Sequence, residues 1–348
     1  MIRMMLALFG ATIVAGPALA QQATPLFASD QPMQLEIRGP IVALISGSRT
    51  NVATRHARLT LSGSGEVHAV RLTPRGITRL RRETCQFPPL RVEFSQAPPA
   101  TSVFAHQRRL KLVTHCQPSS AFQQHLLLEY AAYRLYNLIT PESFRARLAT
   151  IDYADGASAR PYISRPGFFI EDRDDVGRRI GRKPATVGER VSITRIDPAA
   201  AARVAMFEYM IGNLDWAITA SPKGDECCHN SRLLAVPNSS NVAANLVPVP
   251  YDFDFSGLVD APYAVPPDGS DVSVRRRVYR GYCRHNVQAR AAAADFRAKR
   301  SALLAEIGTI TGLDERNRRK AIAYLEDFFA DIATDQRVEQ KLLARCLK

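Results

Sequence analysis

Val249-Pro250-Tyr251-Asp252-Phe253-Asp254-Phe255-Ser256-Gly257 is the stretch on which the reading of this 348-residue chain turns. Two carboxylates stand two residues apart, each followed by Phe. In an extended backbone Asp252 and Asp254 face one side and Tyr251, Phe253 and Phe255 the other. The aromatic side can then be buried while the acidic side looks into a cleft. Pro250 and Gly257 bracket the run as a short strand entering a turn. Like charges this close repel unless a cation lies between them, and hard cations such as Mg²⁺ or Mn²⁺ prefer carboxylate oxygens. The plain alternative is a strand end whose Asp residues cap neighbouring turns. Against it stands a second polar cluster upstream, Gly212-Asn213-Leu214-Asp215-Trp216, followed by His229-Asn230.

The length suits one large or two small domains. The apolar share of 46% and charged share of 23% are those of a soluble globular protein. No apolar run beyond the N-terminus is long enough to span a bilayer. Arg3, the apolar Met4 to Gly16 and the small-residue site Ala18-Leu19-Ala20 read as a secretory signal over residues 1–20, with a mature chain from Gln21 in a periplasm. Six cysteines suit that compartment. Cys85 with Cys116 and Cys283 with Cys346 are the favoured pairs, and the adjacent Cys227 and Cys228 have no assigned partner. Zinc on Cys227, Cys228 and His229 is the rival, and it lacks a second cluster to complete four ligands. The net charge of +13 favours acidic partners such as phosphorylated ligands. The arginines are scattered, in runs such as Arg79-Leu80-Arg81-Arg82, without the interleaved aromatics of a single-strand binder. They read as a solvated basic face, and no specific nucleic-acid partner is expected.

Along the chain, residues 21–170 form a β-rich unit. His56–Leu61 and Val67–Leu72 alternate and are joined by Ser62-Gly63-Ser64-Gly65-Glu66, a hairpin whose glycine-rich turn could also cover phosphates. Leu90–Phe94 and Arg109–Val113 are further strands, the second carrying Lys111 between Leu110 and Leu112. Ser119 or Ser120 caps a helix through Ala121 to Leu138. Glu129 lies among apolar residues on that helix and needs a cationic partner, for which Lys111 is the nearest lysine in sequence. Strands at Phe144–Tyr153 and Pro166–Ile170 complete the unit. The second unit, 171–348, opens on an acidic connector. It continues with a helix from Asp197-Pro198 to Ile211, the Asp215 loop, the acidic stretch, a Pro-rich loop from Ala261 to Gly269, and helices over Asn286–Ile307, Asp314–Ala333 and Arg337–Cys346.

This order of parts is that of an α+β, bilobal protein-kinase-like fold with a β-rich N-lobe and a mainly helical C-lobe. At Gly212-Asn213-Leu214-Asp215-Trp216 with Asn230, and at Tyr251-Asp252-Phe253-Asp254-Phe255-Ser256-Gly257, the chain resembles the spore-coat CotH family of atypical, often secreted kinases. The resemblance implies phosphoryl transfer from a nucleotide, ATP, to an acceptor protein or small molecule. Asp215 would be catalytic, Lys111 and Glu129 the phosphate-anchoring pair, and Asn230, Asp252 and Asp254 the holders of Mg²⁺ or Mn²⁺. The H-R-D triplet and a G-x-G-x-x-G loop are absent, and Asp215 and Asn230 stand fifteen positions apart rather than about five. Two other functions compete: a non-catalytic periplasmic binding protein, and a metal-dependent hydrolase using Asp252 and Asp254. A serine hydrolase is excluded by the lack of a G-x-S-x-G elbow.

Overall fold

The computed structural model describes residues 22–47, 49–156, 158, 160–237, 244–266 and 272–348; the signal over 1–20, Gln21 and the end of the Pro-rich loop lie outside them. The first half is a closed barrel. Its strands are Met33–Gly39 (β1), Arg55–Leu61 (β2), Val67–Pro74 (β3), Leu90–Phe94 (β4), Arg109–Val113 (β5), Ala146–Asp155 (β6) and Ile163–Ile170 (β7), in the order β1-β2-β3-β4-β5-β7-β6. A short helix, Ile41–Ser46 (α1), follows β1, and Ser120–Ile139 (α2) separates β5 from β6.

All neighbouring strands pair antiparallel except β1 with β6, whose parallel register from Met33 opposite Ala149 to Gly39 opposite Asp155 closes the ring. Alternation decides which side chains fill it. In β3 every second residue, His68, Val70 and Leu72, is buried, while Val67, Ala69 and Arg71 are exposed. Leu35, Ile37, Leu59, Val70, Val92, Leu112, Ile151 and Phe169 form the interior. Each such side chain contributes roughly 1.5–3 kcal/mol by leaving water.

The second half is Arg173–Arg179 (α3), Lys183–Pro184 (β8), Pro198–Ile211 (α4), Ser231–Ala235 (β9), Val247–Pro250 (β10), Asn286–Ala298 (α5), Arg300–Thr309 (α6), Glu315–Asp331 (α7) and Asp335–Lys341 (α8). Strands β8, β9 and β10 make a small antiparallel sheet in the order β10-β9-β8. Helix α4 begins where its sequence says it should. The Asp197 carboxylate accepts the Ala200 N–H, Pro198 occupies the first turn, and Gly212 ends the helix at φ 66°.

The expected bilobal kinase-like fold is therefore corrected. The β-rich part is a closed seven-stranded mixed barrel, not a lobe of its own, and α2 does not belong to it alone. Apolar on nearly every side, α2 buries Leu126, Leu127, Tyr130, Tyr133, Leu135 and Tyr136 in one core with α4, α7, β10 and the outer face of β6 and β7. Two tail helices also differ. The run from Asn286 breaks at Lys299 into α5 and α6, and the last helix stops at Lys341 before a single 3₁₀ turn, Leu343–Arg345.

Cys85–Cys116 and Cys283–Cys346 are disulfides, as is the adjacent pair Cys227–Cys228. No described cysteine is free, so the zinc alternative has no thiolates. Disulfides persist in oxidising compartments, and no described helix is long and apolar enough to cross a membrane.

Candidate active site

A short 3₁₀ turn after β3, Thr78–Leu80, drives Arg79 into the space between α2 and the segment after β10. There its Nη1 meets Glu129 Oε2 at 2.9 Å, its Nη2 meets Asp252 Oδ1 at 2.7 Å and its Nε meets Asp254 Oδ2 at 3.1 Å. One guanidinium thus serves three carboxylates, with Arg79, Glu129 and Asp254 buried and Asp252 half-buried. The sequence pointed to Lys111 as the partner of Glu129; the structure supplies Arg79. Half of the signal was present, since Glu129 needed a cation; Arg79 itself, between Thr78 and Leu80, carries no local mark that sets it apart from Arg81 and Arg82.

The acidic stretch is not the extended strand its pattern predicts. Strand β10 ends at Pro250, and Asp252 sits at φ 66°, which reverses the alternation. Asp tolerates that conformation, and the Asp252 N–H is met by the Tyr133 hydroxyl at 3.0 Å. Of the three aromatics only Phe253 is buried, against Tyr133 and Phe207. Tyr251 and Phe255 line the cleft instead.

The two polar motifs are fastened to each other by backbone. Gly257 N–H donates to the Gly212 carbonyl at 3.0 Å, and Leu258 N–H to that of Ile211 at 2.9 Å. Tyr324 of α7 seals the contact, its hydroxyl lying where a Cβ on Gly212 or Gly257 would fall. This is why both positions are glycine.

Beyond Gly212 the chain turns on Asn213, whose side-chain oxygen accepts the Asp215 N–H at 3.0 Å and whose carbonyl accepts the Trp216 ring N–H at 3.0 Å. The half-buried Asp215 carboxylate is held from two sides, by His229 Nε2 at 2.7 Å and by Asn230 Nδ2 at 2.9 Å. The fifteen-residue separation is bridged by the disulfide-bearing loop, which folds back so that Ala217 N–H meets the His229 carbonyl at 3.0 Å. The hydrogen bond to Asp215 raises the His229 pKa above its ordinary value. Asp215, His229, Asn230, Asp252 and Asp254 all line one cavity of about 490 Å³.

The wall that this cavity shares with its neighbour is basic. Arg75 and Arg232 line this cavity and also a second one of about 300 Å³, into which Arg91, Arg109 and Lys111 open. Lys111 stands on the outer face of β5, since Leu110 and Leu112 point into the barrel. Its Nζ lies 4.5 Å from the centre of the Tyr251 ring, and the Arg232 guanidinium 4.9 Å from the same ring. Burial, then Arg75 and Arg232, pushes the Lys111 amine down to about 7. The Ser62–Glu66 turn lines neither cavity, so it has no phosphate to cover there.

The acid cluster remains short of positive charge. Burial works against ionisation of all three carboxylates. Arg79, Arg75 and Lys111 still hold Asp252 below the ordinary range, whereas burial pushes Glu129 up to about 7 and Asp254 well above the usual carboxylate value. One ligand oxygen from each of the three carboxylates lies within 4.8 Å of the others. An oxygen-only, under-neutralised donor set fits Mg²⁺ or Mn²⁺ chemistry, with Arg79 as the competing cation. No family model matches the chain, and neither does any curated protein.

Proposed function

We propose that this chain is an exported phosphotransferase that takes a phosphorylated nucleotide, ATP, into the cleft between the barrel and the helical half. The observation that carries this reading is a pair of adjoining cavities that share Arg75, Arg173, Arg232 and Tyr251, one lined by Asp215, Asp252 and Asp254 and the other by Arg91, Arg109 and Lys111. Phosphoryl transfer asks a protein for little beyond positioning and charge. The basic wall binds and orients the phosphates. Asp215, fixed by His229 and Asn230, directs an acceptor hydroxyl and takes its proton. Asp252 and Asp254, with Glu129 beside them, would hold a divalent cation, which would neutralise charge developing on the transferred group, and Asn230 lines the same cavity. This keeps the chemistry implied by the CotH-like motifs and drops the fold. The signal-like N-terminus and the disulfides support a periplasmic location, and the acceptor is a protein or small molecule with a hydroxyl group.

A second reading, metal-free binding of an anionic ligand without catalysis, is favoured by one fact: Arg79 already serves all three carboxylates. Thermal melts of the oxidised chain with ATP, with and without Mn²⁺, separate the two, because a ligand of the folded state raises the midpoint by mass action. The phosphotransferase reading expects a metal-dependent rise that vanishes in Asp252→Ala. A rise indifferent to metal and to that substitution supports binding alone, and no rise with any nucleotide refutes the proposal.

A further inference from the structure

We propose that Lys111 is a covalent capture site for phosphorylated carbonyl compounds, with the phosphate seated on Arg75, Arg91 and Arg232 and the carbonyl carbon presented to Nζ. The argument starts from strand register. Arg91 on β4 stands directly opposite Lys111 on β5, a like-charge pairing that destabilises a sheet. Asp252 and Asp172 offset it only from a distance: among the described residues Lys111 forms no direct ion pair, whereas the more exposed Lys299 pairs with Asp295 at 3.9 Å. The amine packs on the Tyr251 ring and opens into the 300 Å³ cavity, whose wall carries five arginines against two carboxylates, Glu171 and Asp172, which are paired with Arg179 and Arg109.

The choice of lysine is itself informative. Seven of the chain's 46 basic residues are lysines; of the other six, five are exposed and Lys299 is half-buried. For binding phosphate alone, arginine's planar fork is the better group, and it cannot surrender its proton. Lysine at the one cleft position crowded by cations yields a free amine near neutrality, in line with the fall to about 7. A free amine is a nucleophile.

The step balances without an oxidant or reductant. The Nζ lone pair attacks the carbonyl carbon and a C–N bond forms. The carbonyl π electrons move to oxygen, which takes up a proton from nitrogen. Loss of that oxygen as water leaves an imine. The phosphate of the captured molecule meanwhile relieves the repulsion among Arg75, Arg91 and Arg232. Neither a metal nor a nucleotide takes part, so this proposal stands apart from the phosphotransferase reading.

The test treats the full oxidised chain at neutral pH with pyridoxal 5′-phosphate, reduces any imine with borohydride, and maps the adduct by peptide mass. One adduct at Lys111 is expected, suppressed by excess inorganic phosphate. Pyridoxal, which lacks the phosphate and hence its charge-assisted hydrogen bonds, should label at least about tenfold less. Lys111→Arg removes the nucleophile, and Lys111→Met does so without adding charge; each should abolish that adduct in a chain that still unfolds cooperatively. Arg91→Ala should weaken labelling by the phosphorylated aldehyde more than labelling by pyridoxal. Equal labelling of the exposed Lys183 and Lys223, indifference to phosphate, or an unaltered yield in Lys111→Arg would each overturn the proposal.

Discussion

Removing Arg79 is the perturbation to which the acid cluster should respond most strongly. Arg79→Ala takes away the one guanidinium that, among the described residues, bonds Glu129, Asp252 and Asp254, two of which are buried. Breaking a buried ion pair from one side typically costs about 3–5 kcal/mol, since the stranded charge stays buried. At about 2 °C of midpoint per kcal/mol for a chain of this size, the loss is roughly 6–10 °C at neutral pH. The sign with pH follows from the carboxylates. Burial already raises Glu129 and Asp254, and without Arg79 their folded-state values climb further above the unfolded ones. Stability from such groups is full below the unfolded carboxylate value and declines as pH rises through the folded value. The deficit of the variant should therefore open through Asp252, which Arg79 holds below the ordinary range, as pH rises through the acid range, and widen through Glu129 only above about 7, because below that Glu129 is protonated in both proteins. Mn²⁺ should restore part of it, and more in the variant than in the wild type, because the competing cation is gone. Urea titrations of both proteins across that range, with and without Mn²⁺, provide the assay. A deficit that does not change with pH would mean that Arg79 acts by packing alone and would refute the charge argument.

Two further substitutions probe the supports of the site. Glu208 of α4 is fully buried, neither of its carboxylate oxygens has a hydrogen-bond partner, and the neighbouring Asn213 amide does not close one of good geometry. Burial pushes it from 4.5 up to about 8, so the wild type should lose stability between those values, by about 5 kcal/mol at most. Glu208→Gln should flatten that slope in urea titrations, and an unchanged slope would disprove the assignment. Gly257→Ala places a methyl group against the Tyr324 hydroxyl, the Val274 carbonyl and Arg275 Cα. It should cost about 1–3 kcal/mol of overpacking and separate Asp215 from Asp252. Tyr324→Phe should not rescue it, because the backbone of Val274 remains; full rescue would show that only the hydroxyl matters.

What was legible in the sequence is what neighbours along the chain decide. The alternation of Val67–Leu72, the turn after Leu61 and the Asp197-Pro198 start of α4 need no information from elsewhere, and the two long-range cysteine pairs were favoured from the elements they flank. Barrel closure was not legible, because it depends on β1 lying parallel to β6, more than a hundred residues on, and a strand carries no local mark of its distant partner. The placement of α2 was hidden for a related reason. A helix apolar on nearly every side states that it is buried without saying by what. Arg79 was hidden by its company, since Arg79-Leu80-Arg81-Arg82 looks like a solvated run while one of its members is 7% exposed. The aim of Asp252 and Asp254 at a common cation was readable; the left-handed turn that achieves it was not.

The cleft holds two kinds of positive charge, and the distinction bears on what it binds. Arg79 is spent on the acid cluster. Arg75, Arg91 and Lys111 have no carboxylate partner among the described residues and repel one another across the second cavity. An anion entering alone relieves that wall but adds negative charge near Asp252. A divalent cation entering alone relieves the acids but adds positive charge near Arg75 and Lys111. Entering together, each cancels the cost imposed by the other. Coupling between two ligands is reciprocal, so in the melts with ATP and Mn²⁺ the rise with both should exceed the sum of the separate rises. Simple additivity would mean that the two adjoining cavities do not serve a single ligand and would leave the phosphotransferase reading without its physical basis.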